Sequence, residues 1–197
     1  MTARIAINGF GRIGRSFVRA ALERPGLVDV IAVNDTNDPL MLAYLLQHDT
    51  VQGMLDAEVK QTGEMIQIDD LSVALSHEPD PARLPWARHG IDVVIESTGR
   101  FTTADEAGLH IAAGADRVII SAPATGADLT VCMGVNHESF DADHHVVLSN
   151  ASCTTNCLAP MAYVLHQSFV VLDGFMSTVH AYRTTRTCST CRTGVTA

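Results

Sequence analysis

Gly9-Phe10-Gly11-Arg12-Ile13-Gly14 is a G-x-G-x-x-G run, directly preceded by the apolar stretch Arg4 to Asn8 and followed by Ser16 to Leu22, which has helical spacing. In a strand–turn–helix context, the first glycine of such a run allows a tight turn. The second lets backbone approach a pyrophosphate, and the third packs helix on strand. The helix start then offers free N–H groups and a positive dipole end to phosphates. Asp35 closes the next apolar run, 21 residues after Gly14, where a carboxylate can accept from ribose hydroxyls and would repel a 2′-phosphate. The competing interpretation is a glycine-rich turn that merely packs.

The second concentration of chemistry is Ser149-Asn150-Ala151-Ser152-Cys153-Thr154-Thr155-Asn156-Cys157. Ser152 is placed to cap a helix through Leu158, Met161, Leu165 and Phe169, with Pro160 allowing a kink or a late start. Cys153 then falls in the first turn, where dipole and orphan N–H groups favour a thiolate, and the hydroxyls of Ser152 and Thr154 suit a phosphate. Cys157, one turn on, is expected to face a core. The alternative for both cysteines is a small buried hydrophobe. A nucleophilic cysteine needs a base. His180 ends a strand-like run from Phe175 and is the one histidine of nine in such company. His144-His145 reads as a solvated loop, so no metal site is expected.

These residues need elements to hold them. Strands are expected at 4–8, 28–33, 91–96, 118–121 and 131–133, helices at 16–22, 40–46 and 103–113, and small strands or hairpins over 53–76. Strands alternating with helices imply a doubly wound, Rossmann-type parallel α/β sheet. The 197 residues are 47% hydrophobic, with 13 Lys and Arg against 22 Asp and Glu and a net charge of −9. That balance speaks against nucleic-acid or polybasic membrane partners. No apolar run reaches the ~18 residues of a membrane helix. The N-terminus runs straight into a strand rather than a signal peptide. Five cysteines do not suggest a disulfide scaffold, so a cytoplasmic setting is expected.

Together these motifs resemble the glyceraldehyde-3-phosphate dehydrogenase family. SNASCTTNCLAP at 149–160 and TVHAY at 178–182 carry the resemblance most strongly. INGFGRIGR at 7–15, AVND at 32–35, ESTGRFT at 96–102, AGADRVIISAP at 113–123 and GVN at 134–136 follow the family order. The erythrose-4-phosphate dehydrogenases share much of this pattern. The resemblance implies a homotetrameric enzyme that oxidises a sugar-phosphate aldehyde with NAD and inorganic phosphate. Cys153 would attack the aldehyde and His180 would take the proton, with Ser152 and Thr154 binding the attacking phosphate. Asn8, Gly9, Phe10, Gly11, Arg12, Ile13, Gly14, Asn34, Asp35, Ser97, Thr98, Gly99 and Ser121 would hold the cofactor. Thr36 stands where many NAD-specific members carry Leu, which leaves NADP open. Pro79 replaces an adenine-side Arg, and Arg183 a substrate-phosphate Thr.

The resemblance implies a cofactor domain over 1–151 and the start of an α+β catalytic domain over 152–182. Residues 183–197 differ: six Thr, three Arg, two Cys and no acid. They read as a disordered or frameshifted tail. One base earlier, plausible codons for Arg186 to Ala197 include Asp-Leu-Pro-His, as the family continues. In that reading Cys188-Ser189-Thr190-Cys191 is neither a redox pair nor half of a zinc site. The resemblance leaves family contacts to substrate phosphate and nicotinamide expected to be missing from these residues. This chain is therefore expected to bind NAD with little or no turnover, and an inactive nucleotide-binding fragment is the rival to the enzyme.

Overall fold

The computed structural model describes residues 2–179. Among these residues eleven strands and six α-helices follow in order. β1 is Ala3–Asn8, α1 Arg12–Leu22, β2 Val28–Asn34, α2 Pro39–Gln47, β3 His48–Asp49 and β4 Gly53–Met54. β5 is Val59–Thr62, β6 Met65–Ile68, β7 Leu71–Ser76, α3 Trp86–His89 and β8 Val93–Glu96. Then come α4 Ala104–Ala107, α5 Leu109–Ala112, β9 Arg117–Ile120, β10 Leu129–Thr130, β11 Val147–Ser149 and α6 Cys153–Phe169.

Nine strands form one sheet in the order β10-β11-β9-β8-β1-β2-β7-β6-β5. It is parallel from β10 to β7 and turns antiparallel only at the β7-β6-β5 edge. From β1 the chain first builds outward through β2, then returns to the other side through β8. Strand order therefore reverses at β1, the switch point where doubly wound folds bind ligands.

Side-chain alternation explains why both faces are covered. Ile5 and Ile7 of β1 join Val18, Leu42 and Leu46 of α1 and α2 in one buried cluster. Ala6 and Ala32 face the opposite way, among Trp86, Val94, Ala107 and Val118. The small alanines leave room for the fully buried indole of Trp86. Asp38 starts α2 by accepting from the Met41 N–H at 2.9 Å, with Pro39 in the first turn.

Several expectations are corrected. The helix expected over 103–113 is two four-residue helices that meet at Gly108, a poor helix former. The strand expected at 131–133 ends earlier, at Thr130, because the Cys132 N–H is taken by the Asn136 side chain at 2.7 Å. α6 forms from Cys153 through Pro160, but none of its residues is buried, so Cys157 faces solvent and not a core. No strand forms over 175–179, and Phe175 and Val179 are almost fully exposed. No described strand lies beside that run, and a lone strand has no partner for its backbone groups. His180 and the tail 183–197 lie outside the described residues.

Candidate functional site

The site grows from the end of β1. Gly9 has φ +92°, and a Cβ there would sit 2.6 Å from the Thr98 backbone nitrogen. Only glycine permits that close crossing of the β1 and β8 turns. A Cβ on Gly14 would come within 2.4 Å of the Gly9 carbonyl, so the third glycine packs α1 on the strand. A Cβ on Gly11 would meet no protein atom within 4 Å, so the space beside it lies open to the cleft. Gly11 caps α1 without a side-chain hydrogen bond, and the first turn carries no acid to compete with an anionic ligand. Buried Arg15 braces the turn from behind by donating to the Phe10 carbonyl at 2.8 Å. Burial lowers its pKa, opposed by the carboxylates of Asp49 and Asp35.

Asp35, just past β2, is fixed before any ligand arrives. Its Oδ2 accepts from the Phe10 N–H at 2.7 Å, and its Oδ1 from the Asn37 N–H at 2.9 Å and the Asn37 Nδ2 at 2.8 Å. A carboxylate has about four acceptor positions, so capacity remains for a hydroxyl.

A cleft of about 280 Å³ at this sheet edge gathers Asn8, Gly9, Gly11, Asn34, Asp35, Ser97 and Thr98, all expected from sequence. Thr36, Asn37, Glu78, Pro79, Arg100 and Phe101 complete its walls. Of these, Asn37, Glu78, Arg100 and Phe101 were not foreseen. They come from loops whose positions only the sheet order sets. Phe10 and Gly14 lie behind the cleft: Phe10 is buried, and Gly14 packs against β1. Arg12 and Ile13 stand exposed at the helix start. Gly99, at φ +71°, turns the loop after β8. Ser121, just past β9, donates its N–H to the Glu96 carbonyl at 2.9 Å.

A buried polar network under the cleft also escaped the sequence reading, which singled out His180 alone among the histidines. His110 and Glu96 are almost fully buried. The His110 Nε2 lies 3.0 Å from Glu96 Oε2, and Asn8 Nδ2 donates to the same oxygen at 2.6 Å. Glu96 Oε1 accepts from the Thr98 N–H at 2.8 Å and from the Thr98 hydroxyl. The available signal was an acid closing an apolar parallel strand, where a charge must find partners.

The second centre lies on the same edge. β11 is parallel to β9, β8 and β1, so its C-terminal end and that of β1 share one side of the sheet. Three strand spacings separate them, about 14 Å. Ser149 is buried and its hydroxyl donates to the Ala122 carbonyl at 2.8 Å. Ala151 turns the chain at φ +54°. Ser152 Oγ then accepts from the Thr155 N–H at 2.9 Å, and Asn156 Nδ2 ties the helix back to the Asn150 carbonyl at 2.7 Å. Cys153 is the first residue of α6 and is exposed, with Thr154 beside it. His144 pairs with Asp141 at 2.8 Å on an exposed loop. Among the described residues no helix is long and apolar enough to cross a membrane.

Sheet order, glycine turn and carboxylate define a nucleotide-binding α/β domain of the doubly wound kind. Residues 3–104 match the family model for glyceraldehyde 3-phosphate dehydrogenase, NAD binding domain, and residues 152–193 match that for the glyceraldehyde 3-phosphate dehydrogenase C-terminal domain. The second match reaches past Tyr182 into the stretch 183–197. The chain belongs to the glyceraldehyde-3-phosphate dehydrogenase family. It is 53% identical over 182 residues to glyceraldehyde-3-phosphate dehydrogenase 1 of Bacillus subtilis, covering 92% of this chain and 54% of the relative. It is 51% identical over the same length and shares to the enzymes of Streptomyces coelicolor and Geobacillus stearothermophilus. The chain thus spans about half the length of the curated relatives it matches.

Proposed function

We propose that this chain binds NAD at the β1–β2–β8 edge and that its chemistry is the phosphorylating oxidation of glyceraldehyde 3-phosphate. The observation that carries the reading is the convergence of Gly9, Gly11, Asp35, Ser97 and Thr98 in one cleft at the strand-order reversal. Asn8 and Asn34 form its floor, and Phe10, Gly14 and Gly99 shape its turns. Arg12 and Ile13 stand at the helix start where a diphosphate would lie, and Asp35 would take the adenine ribose. Ser121 closes the end towards β9. The NADP alternative meets a carboxylate at Asp35 where a 2′-phosphate would have to sit.

A dinucleotide laid along the strand ends from Gly9 points towards α6, where Cys153 stands. Cys153 would add as thiolate to the substrate aldehyde, with His180 as the base that takes the hydroxyl proton. NAD held at the Gly9 turn and Asp35 would supply the hydride acceptor, and Cys153 would then carry the oxidised acyl group as a thioester. Inorganic phosphate held by Ser152 and Thr154 would then displace the cysteine and release an acyl phosphate. Erythrose 4-phosphate is the competing substrate. A cytoplasmic setting, the domain division at 151–152 and a homotetramer belong to the same proposal.

The second reading is a nucleotide-binding module without turnover, favoured by one observation: α6 buries none of its residues. Calorimetric titration with NAD and NADP tests the shared part. NAD is expected to bind, NADP more weakly, and Asp35→Ala to lose about tenfold for NAD, the size of one charged hydrogen bond. No NAD binding by folded protein overturns both readings. Reduced-cofactor absorbance with each sugar phosphate and inorganic phosphate separates them. Turnover abolished by Cys153→Ser supports the enzyme. Absent turnover with intact NAD binding supports the module.

A further inference from the structure

The directions of the His110 and Asn8 hydrogen bonds to Glu96 are fixed from the two ends of the buried network. An indole N–H can only donate, so the bond from Trp86 Nε1 to His110 Nδ1, at 3.0 Å, makes Nδ1 an acceptor. The ring proton therefore sits on Nε2 and is donated to Glu96. At the other end the Glu78 backbone N–H donates to Asn34 Oδ1 at 2.9 Å. Asn34 must then present its Nδ2 to Asn8 Oδ1, at 2.7 Å, and Asn8 its own Nδ2 to Glu96. Thr98 adds its N–H and hydroxyl. All four contacts on Glu96 are donors, and Glu96 is the one acceptor on which both arms of the network end.

We propose that Glu96 is the positioning residue of the dinucleotide cleft. It holds Thr98 on one wall and Asn8 on the floor in the geometry that receives the cofactor, and it acts without touching the cofactor itself. The proposal rests on the dinucleotide reading above. Its physical content is that an isosteric amide cannot replace the carboxylate. Whichever way the amide introduced by Glu96→Gln is turned, its NH2 faces donors: either His110 and Asn8, or the Thr98 backbone. His110 cannot yield by changing tautomer, because its proton would then oppose the Trp86 indole N–H. Asn8 cannot yield by flipping, because its Nδ2 would then face that of Asn34. The conflict relaxes most readily at Thr98, which is part of the cleft wall and only partly buried.

The test is Glu96→Gln, with NAD affinity read by calorimetry and amide exchange read at Thr98 and, as a control inside β8, at Val94. We expect about tenfold weaker NAD binding and at least about tenfold faster exchange at Thr98, with Val94 unchanged, for one buried donor left unpaired. Unchanged affinity, or unchanged exchange at Thr98, overturns the proposal. So does faster exchange shared equally by Val94, which marks a general structural role. Wild-type protein that binds no NAD removes the dinucleotide reading and this proposal with it, and that titration tells the two failures apart.

Should Glu96→Gln not fold, Trp86→Phe decides. It lies away from the cleft and frees His110 to exchange tautomers, which ¹⁵N shifts of the ring report. A mixed tautomer with several-fold weaker NAD binding is expected, and unchanged affinity overturns the proposal.

Discussion

The turn after β1 and the turn after β11 use the same local device, a parallel strand that ends at one edge of the sheet and hands over to a helix N-terminus. Their fates differ. α1 buries Gly14, Arg15, Val18 and Arg19, and Arg19 donates to the carbonyls of Leu46, Gln47 and Gly53, which ties the helix to α2 and the β3–β4 turn. α6 has the better cap, a serine hydroxyl on the Thr155 N–H, yet among the described residues none of its side chains is fully buried. A cap is worth about 1 kcal/mol, whereas a few buried aliphatic side chains are worth several. Local signals can start a helix at Cys153. Packing makes the Gly9 turn a site whose shape exists before a ligand arrives.

The largest expected contrast comes from backbone at the first turn. Gly9→Ala places a methyl 2.6 Å from the Thr98 nitrogen at a φ that side chains avoid. It should cost about 3 kcal/mol or more and abolish NAD binding. Chemical denaturation with calorimetry reads both, and a stable, NAD-binding variant would break the account of this turn. Next, Ile7→Ala in β1 should lose about 3 kcal/mol, while Met161→Ala on α6 should change stability by less than about 0.5 kcal/mol. Equal losses would mean that α6 is packed after all. Smaller again is Ser152→Ala. Thr155 and its neighbours should exchange their amides faster by the equivalent of about 1 kcal/mol, with the melting temperature of the sheet unchanged.

The smallest effect is pH-dependent. The Asp128 carboxyl lies below its ordinary range, because it accepts from the backbone N–H groups of Val147 and Val146 at the start of β11. A carboxyl whose pKa is depressed on folding contributes stability above its unfolded pKa, about 3.9, and loses it as pH falls through the folded value. Thermal unfolding from pH 6 to pH 3 should therefore show a slightly smaller loss in Asp128→Asn than in wild type. A parallel pH dependence in the two proteins would remove the carboxylate from the anchoring of β11.

The contrast also marks how far the sequence could be read. Glycine spacing, the acid at 35 and the short apolar runs were legible because each rests on local geometry. The cap at Ser152 was legible for the same reason. The broken helix depended on one poor helix former, Gly108, and the early end of β10 on competition by one side chain, Asn136; no period reveals either. Cys157 read as core and the run 175–179 as a strand by apolarity, yet burial and strand pairing both require a partner and periodicity names none.

By itself, then, the sequence determined the strand–turn–helix at Gly9, the alternation that gives the sheet two apolar faces, and the helix start at Cys153. Each is set by φ/ψ limits and hydrogen bonding within a few residues. Tertiary structure alone decided that Glu78, Arg100 and Phe101 share a cleft with Asp35, and that Trp86, His110, Glu96 and Asn8 join beneath it. Those residues are far apart in the chain. Their meeting depends on strand order, and their bond directions on which groups burial leaves able only to donate.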